Sequence, residues 1–384
     1  MTLNDEIVAA VAAVALVDHH VHSALTSPLS RAEFEQYLTE SSQPPALGTT
    51  QFDSQVGFAV RNYCSPALGL ERHASADDYW AARERLTPKQ VTSSLVKASG
   101  ISNSLIDTGV VAGDNSRARL FTLAEFADLS GQRTEEIVRL ESLLEGLAAK
   151  GVDADDLEAA FDDVLRSAVA TAVGLKSIIA YRFGFDFDPA EPESREIRSA
   201  AAGWLSAPGP YRVTDPVLLR MLLWKGVRTG LPVQLHAGYG DADLDLSRCN
   251  PLLLTPWLRI LPAEASNVVL LHCYPFHREA GYLAQVFSRV YFDVGLAINY
   301  TGAMSDRIVA ESLELAPFGK VLFSTDAWGL PELHLIGAAL WRRAMTRILS
   351  DLVENNDWSL LDAIRVAQLV GRDNANRLYD LSLT

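Results

Sequence analysis

The sequence predicts an α/β fold, a (β/α)8 barrel, and three observations carry that expectation. From residue 170 onward, short apolar runs alternate with amphipathic stretches, the pattern of βαβ units on a parallel sheet. The runs are almost continuously apolar, as strands covered on both faces are. Eight such runs can be counted along the chain, the number that closes a barrel. With 384 residues, 48% of them apolar, the chain can bury a large core without disulfide or metal staples.

In chain order, the apolar stretch Ile7 to Val17 follows Asp5 and Glu6 and runs directly into Asp18. It lacks the basic flank of a secretory signal and reads as a short helix leading into strand one. Residues Ala15 to Asp18 lead that strand into His19-His20-Val21-His22. Residues 23 to about 100 read as a helical insertion, with a Pro/Gly/Ser-rich stretch at 41–55 and helical pieces near 31–39 and 76–85. An insertion at the C-terminal end of a barrel strand lies over the active face. It is expected either as a lid or substrate wall, or as a packing appendage or dimer arm. Strands two and three are expected at 104–108 and 120–123, and strands four to eight at 173–180, 232–237, 268–273, 290–296 and 321–325. Helices are expected at 215–228, 251–261, 277–287, 305–315 and 332–348, and the chain closes with one or two helices over 359–379. The whole of 1–384 is read as one barrel domain.

Composition excludes several classes. The net charge of −15 repels phosphate backbones, so nucleic acid is not an expected partner. No apolar run approaches the ~20 residues of a spanning helix, so no membrane segment is expected. Three cysteines are too few and odd in number for a disulfide framework, which fits a reducing cytoplasm. The chain has no G-x-S-x-G, G-x-x-x-x-G-K or G-x-G-x-x-G motif, so serine-hydrolase, P-loop and dinucleotide readings lack support. The stretch Asp241-Ala-Asp243-Leu-Asp245 resembles a calcium loop only at its start. It has Leu246 where the loop needs Gly and Leu252 where it needs Glu, and reads as a polar loop on the active face.

Chemistry collects at the strand ends. His20 and His22 are two apart, a spacing that turns both imidazoles to one strand face, where they can share a divalent metal. His236, His272 and Asp326 each end an apolar run. Taken singly, each has a bland reading: a hydrogen-bonded histidine, or an aspartate capping the next helix. Together they place metal-type ligands on four strand ends, at the edge where barrel enzymes carry catalysis. Asp18, two before His20, would share its face or serve as a structural carboxylate. Cys273 is expected to point away from the site and pack against the helical layer.

These positions, with the segments Gly174–Arg182, Leu231–Asp241, Asn250–Leu254, Leu271–Phe276, Tyr291–Ala297 and Phe323–Asp326, resemble the amidohydrolase superfamily. The resemblance is strongest to its amidohydrolase-2 group, and within it to the N-terminal domain of nodulin/FluG-type glutamine-synthetase fusions. No glutamine-synthetase part is expected here after Thr384. The resemblance implies a TIM-type barrel and a divalent metal, zinc foremost with manganese or iron as alternatives, one or two ions per chain. His20, His22, His236, His272 and Asp326 would be its ligands. Asp326 and His272 would be catalytic: Asp326 moves the proton of the attacking water, and His272 or His236 orients the scissile group. Lys176 is either carbamylated and bridging two metals, or a plain ammonium. Substrate contacts are expected from Arg182, which can clamp a carboxylate, and from Tyr181, Tyr274, His277 and Trp328; loop packing or helix capping is the alternative for each. The implied activity is hydrolysis of an amide-type C–N bond in a small molecule, with glutamine-like compounds suggested by the fusion partner. Decarboxylase, lactonase, sugar-acid isomerase and regulatory or scaffold roles are the rivals. A homo-oligomer is the expected assembly.

Overall fold

The structure, a computed structural model, describes residues 3–109 and 119–381. Seven strands form one parallel sheet in chain order: β1 (Leu16–Val21), β2 (Ile101–Asp107), β3 (Arg133–Arg139), β4 (Gly174–Ser177), β5 (Val233–Ala237), β6 (Val268–His272) and β7 (Val290–Phe292). Helices follow each strand and cover the outside, the α/β TIM-type arrangement. Residues 321–327 take the eighth position. Val321 bridges Phe292 in parallel, Leu322 N donates to Phe292 O (2.9 Å), and His19 N donates to Phe323 O (3.2 Å). This segment is not a regular strand for an evident reason. The Asp18 carboxylate accepts the Thr325 N–H (2.9 Å) and hydroxyl (2.5 Å), taking a donor that a ladder carbonyl would otherwise hold.

Several boundaries differ from expectation. Residues 120–123 are not the third strand: Leu120 makes one isolated antiparallel bridge to Leu25. The strand is Arg133–Arg139, whose sequence RTEEIVR holds one short apolar pair because its first half is exposed or half-buried. β4 stops at Ser177, and Ile179–Arg182 is a turn of helix that carries Tyr181 and Arg182 over the barrel mouth. β7 stops at Phe292, and Gly295–Thr301 is helical. The expected helices are present, with Pro331–Glu354 longer than read and 251–260 split into a 3-10 turn and a short α-helix.

Inside the barrel, Val17, Leu105, Ile137, Val269, Leu271 and Leu322 form a separate apolar cluster. Ala375, Leu378, Tyr379 and Leu381 pack onto it, so the closing segment seals this inner core. Helix Pro88–Ser99, opened by a Thr87/Gln90 capping box, leads into β2 and packs on the long helix Pro331–Glu354. The segment between β1 and that helix is tied down by a buried cluster. Glu332, fully buried, accepts from Arg83 Nε (2.5 Å) and from the Tyr79 hydroxyl (3.0 Å). Among the described residues, no helix is long and apolar enough to cross a membrane.

Candidate metal centre

β1 ends at Val21, between the two histidines, and its ladder is interrupted there. A register shift between Asp18 and Val21 breaks simple alternation. Asp18 therefore bonds Thr325, while His19 Nε2 donates to Asp293 Oδ2 (2.9 Å) and His20 Nδ1 donates to Gln234 Oε1 (2.8 Å). Asp18 is a structural carboxylate; burial pushes its pKa up, against the bonds from Thr325.

Across the barrel mouth, Asp326 faces the histidines. Its Oδ1 lies 3.1 Å from His20 Nε2 and 3.5 Å from His22 Nε2, and its Oδ2 lies 3.5 Å from His272 Nε2. The candidate ligand atoms of His20, His22 and Asp326 all lie within 4.8 Å of one another. His272 and His236 stand beside them, with ring centroids 4.7 Å apart and His272 5.5 Å from His20. Lys176 Nζ, buried on β4, is 3.3 Å from His20 Nε2. His272 (φ 68°) and Asp326 (φ 48°) are left-handed non-glycine residues, a strained backbone that the surrounding bonds hold at the strand ends. At Gly240 a Cβ would collide with the Tyr181 hydroxyl, so the loop after β5 can pass this close to His236 only as glycine.

The donor set fits a divalent cation. A hydrogen-bond chain with one consistent direction fixes the His20 tautomer. His20 Nδ1–H gives to Gln234 Oε1. Gln234 Nε2 gives to the Tyr379 hydroxyl (2.8 Å), and that hydroxyl gives to His19 Nδ1 (3.1 Å). His20 Nε2 is thereby left as an acceptor, its lone pair on the side of Asp326 and Lys176 Nζ. His22 is fixed likewise, donating from Nδ1 to the Asp107 carbonyl (3.3 Å). Two further ring nitrogens, His236 Nε2 and His272 Nδ1, are buried without a hydrogen-bond partner. Protonation states agree. Burial lowers His20 to about 3, with Lys176 adding to it, lowers His272 to about 4, and lowers His236 well below its usual range. Burial alone would raise the Asp326 carboxyl, but His272, His20 and His22 outweigh it and hold it well below the usual carboxylate range. Neutral imidazoles and an ionised carboxylate are the forms a metal requires. Burial also lowers Lys176 to about 8.

Gln234 is thus a positioning residue for His20. Gln234→Leu is expected to weaken metal binding about 10–100-fold, as loss of an outer hydrogen-bond partner typically does. A metal-buffer titration checks this; unchanged affinity would remove the tautomer argument.

The centre opens into a cavity of about 870 Å³ whose walls include His22, Lys176, His236, His272 and Asp326. Tyr181, Arg182 and Trp328 also line it. Tyr274 and His277 do not: His277 turns to Glu311 (2.5 Å) at the outer layer, and its ring stacks on Tyr274. Left-handed backbone at His272 and Cys273 redirects the chain directly after the strand. Cys273 itself is buried, with its thiol against the Leu270 and Leu271 carbonyls. The cavity also draws on residues not picked out from the sequence: Glu40 and Tyr37 from the segment after β1, Arg139 at the end of β3, Arg212, and Tyr300 after β7. Gln234 carried a signal that was there to be read, standing two before His236 on one strand. Arg139 was hidden by the misplaced third strand, and Glu40 has no local signature.

The family model described as Amidohydrolase matches residues 92–381. Protein fluG of Emericella nidulans is 28% identical over an alignment covering 96% of this chain; the chain spans 46% of that protein's length. Among solved structures, one described as a "putative metal-dependent hydrolase" from Lactobacillus casei ATCC 334 superposes with a TM-score of 0.84 at 28% identity, covering 97% of this chain and 96% of that one. A uronate isomerase from Bacillus halodurans superposes with a TM-score of 0.64 at 13% identity, covering 98% and 96%, a likeness of fold alone.

Proposed function

The chain belongs to the amidohydrolase family, and from that premise we propose that it is a metal-dependent hydrolase cleaving an amide-type C–N bond in a small molecule. The observation that carries the reading is the convergence of His20, His22 and Asp326, with His236, His272 and Lys176 around them, at the floor of an open cavity. A bound divalent cation, zinc first and manganese or iron next, would lower the pKa of a water and polarise the scissile carbonyl. His20, His22 and Asp326 would hold it, with His236 and His272 to complete the set. Asp326, ionised and 12% exposed, is placed to accept the proton of the attacking water and pass it to the leaving nitrogen. His272 or His236, whichever is not bound to the ion, orients the carbonyl. Lys176 serves either as an ammonium beside the substrate or, as its carbamate, as a bridge between two ions.

The segment after β1 acts as a wall of the cavity through Tyr37 and Glu40, with Tyr37 stacked on Trp328 (4.8 Å). Three buried free thiols support a cytoplasmic setting. The partner is a small molecule, and a homo-oligomer is the proposed assembly.

The test is metal content of the purified protein, mass analysis for carbon dioxide added to Lys176, and product analysis on a panel of small amides. One or two ions per chain and release of ammonia or amine are expected. Carbon dioxide release without amine would replace the amidase reading with a decarboxylase. Fewer than ~0.2 ions per chain, with no activation by added zinc or manganese, would end the metal reading.

A further inference from the structure

Beside the metal ligands, the cavity is lined by both basic and acidic side chains. Arg139 ends β3, Arg182 ends the helical turn after β4, and Arg212 precedes the helix that leads to β5. The three are electrostatically close, since both Arg212 and Arg139 act on Arg182. Each has an acidic partner: Asp107 for Arg139, Glu145 for Arg182 (3.2 Å) and Asp243 for Arg212. The Arg182 guanidinium is nonetheless far from satisfied. Its Nε and Nη1 are buried with no hydrogen-bond partner, in a side chain only 11% exposed.

Glu40 and Asp241 are among the acidic ones. Glu40 accepts a hydrogen bond from Tyr300 and makes no ion pair with any described residue. Burial first, then Asp326 and Asp241, raise its carboxyl to about 7. Any further negative charge placed there would meet Glu40 and Asp241 together.

We propose that the three arginines form a carboxylate subsite centred on Arg182, and that the substrates are amides bearing one carboxylate directed to it. A guanidinium fork matches a carboxylate in shape as well as charge, and the free donors of Arg182 are what such a ligand completes. The acidic side chains select against a second carboxylate. The bond that is cut rests on the hydrolase reading above; the subsite is a statement about binding and stands apart from it.

The experiment is calorimetric titration of the metal-loaded protein with N-acetylglycine, N-acetylalanine and N-acetylmethionine, each beside its primary amide, and with N-acetylaspartate as the dianion. At least one acid is expected to bind about tenfold or more tightly than its neutral amide, as a charge-assisted pair requires. Arg182→Gln should abolish that preference with metal content unchanged, and Arg182→Lys should restore part of it. Should Arg182→Gln fail to fold, Arg212→Gln, at a half-exposed side chain, is expected to reduce the preference about threefold. Glu40→Gln should bring N-acetylaspartate to within about threefold of N-acetylalanine. The proposal is overturned if no acid outbinds its amide, or if the preference survives Arg182→Gln, which would put the carboxylate on the metal. Arg182-dependent binding without turnover of any amide would sink the hydrolase reading and leave the subsite in place.

Discussion

Asp326→Asn is expected to lower turnover about a thousandfold on whichever amide the protein hydrolyses fastest, and to reduce bound metal, while leaving the fold intact. The substitution keeps the shape of the side chain. It removes the negative charge that His20, His22 and His272 face at 3.1–3.5 Å, and with it both a ligand and the proton acceptor. Circular dichroism and metal analysis on the same preparation separate the two losses. If excess zinc restores the metal but not the rate, the proton-transfer role of Asp326 is isolated. If turnover stays within about tenfold of the parent, Asp326 is not the acceptor, and another group in the cavity must move the proton.

The second large effect is on stability and lies outside the site. Arg83→Leu should destabilise the protein by about 3–5 kcal/mol, because it leaves the Glu332 carboxyl fully buried with its cation gone. Tyr79 alone cannot replace the cation at that depth. The double replacement Arg83→Met with Glu332→Leu should recover most of the loss, since well-packed apolar groups of similar volume often match a buried pair. Urea denaturation of the parent and the two variants reads this directly; a cost of Arg83→Leu below about 1 kcal/mol would contradict it. The consequence reaches the cavity. Glu332 lies in the first turn of the helix that follows Asp326 and Trp328, and Arg83 belongs to the segment that supplies Tyr37 and Glu40. Loosening this pair should therefore loosen one wall of the cavity as well.

The sequence by itself determined much of this protein. Apolar runs ending in His20-Val21-His22, His236, His272 and Asp326 were enough to place the strands of the second half and to expect these side chains at one barrel edge. The reason is that parallel strands buried on both faces must be apolar, so a polar residue at the end of such a run is conspicuous. Where that condition fails, the signal fails. β3 is half exposed and reads as RTEEIVR, so no apolar run marks it, and Arg139 at its end has no local signal. The residues after His272 leave the strand through left-handed backbone, which carried Tyr274 and His277 away from the cavity they were expected to line. Only the tertiary structure could decide the rest. The direction of the bonds from His20 through Gln234 and Tyr379 to His19 joins residues up to 360 positions apart. The meeting of Glu40 with Tyr300 joins segments far apart in the chain. Pairings of this kind depend on the position and depth of burial that packing assigns to each group, and no local pattern of residues encodes either.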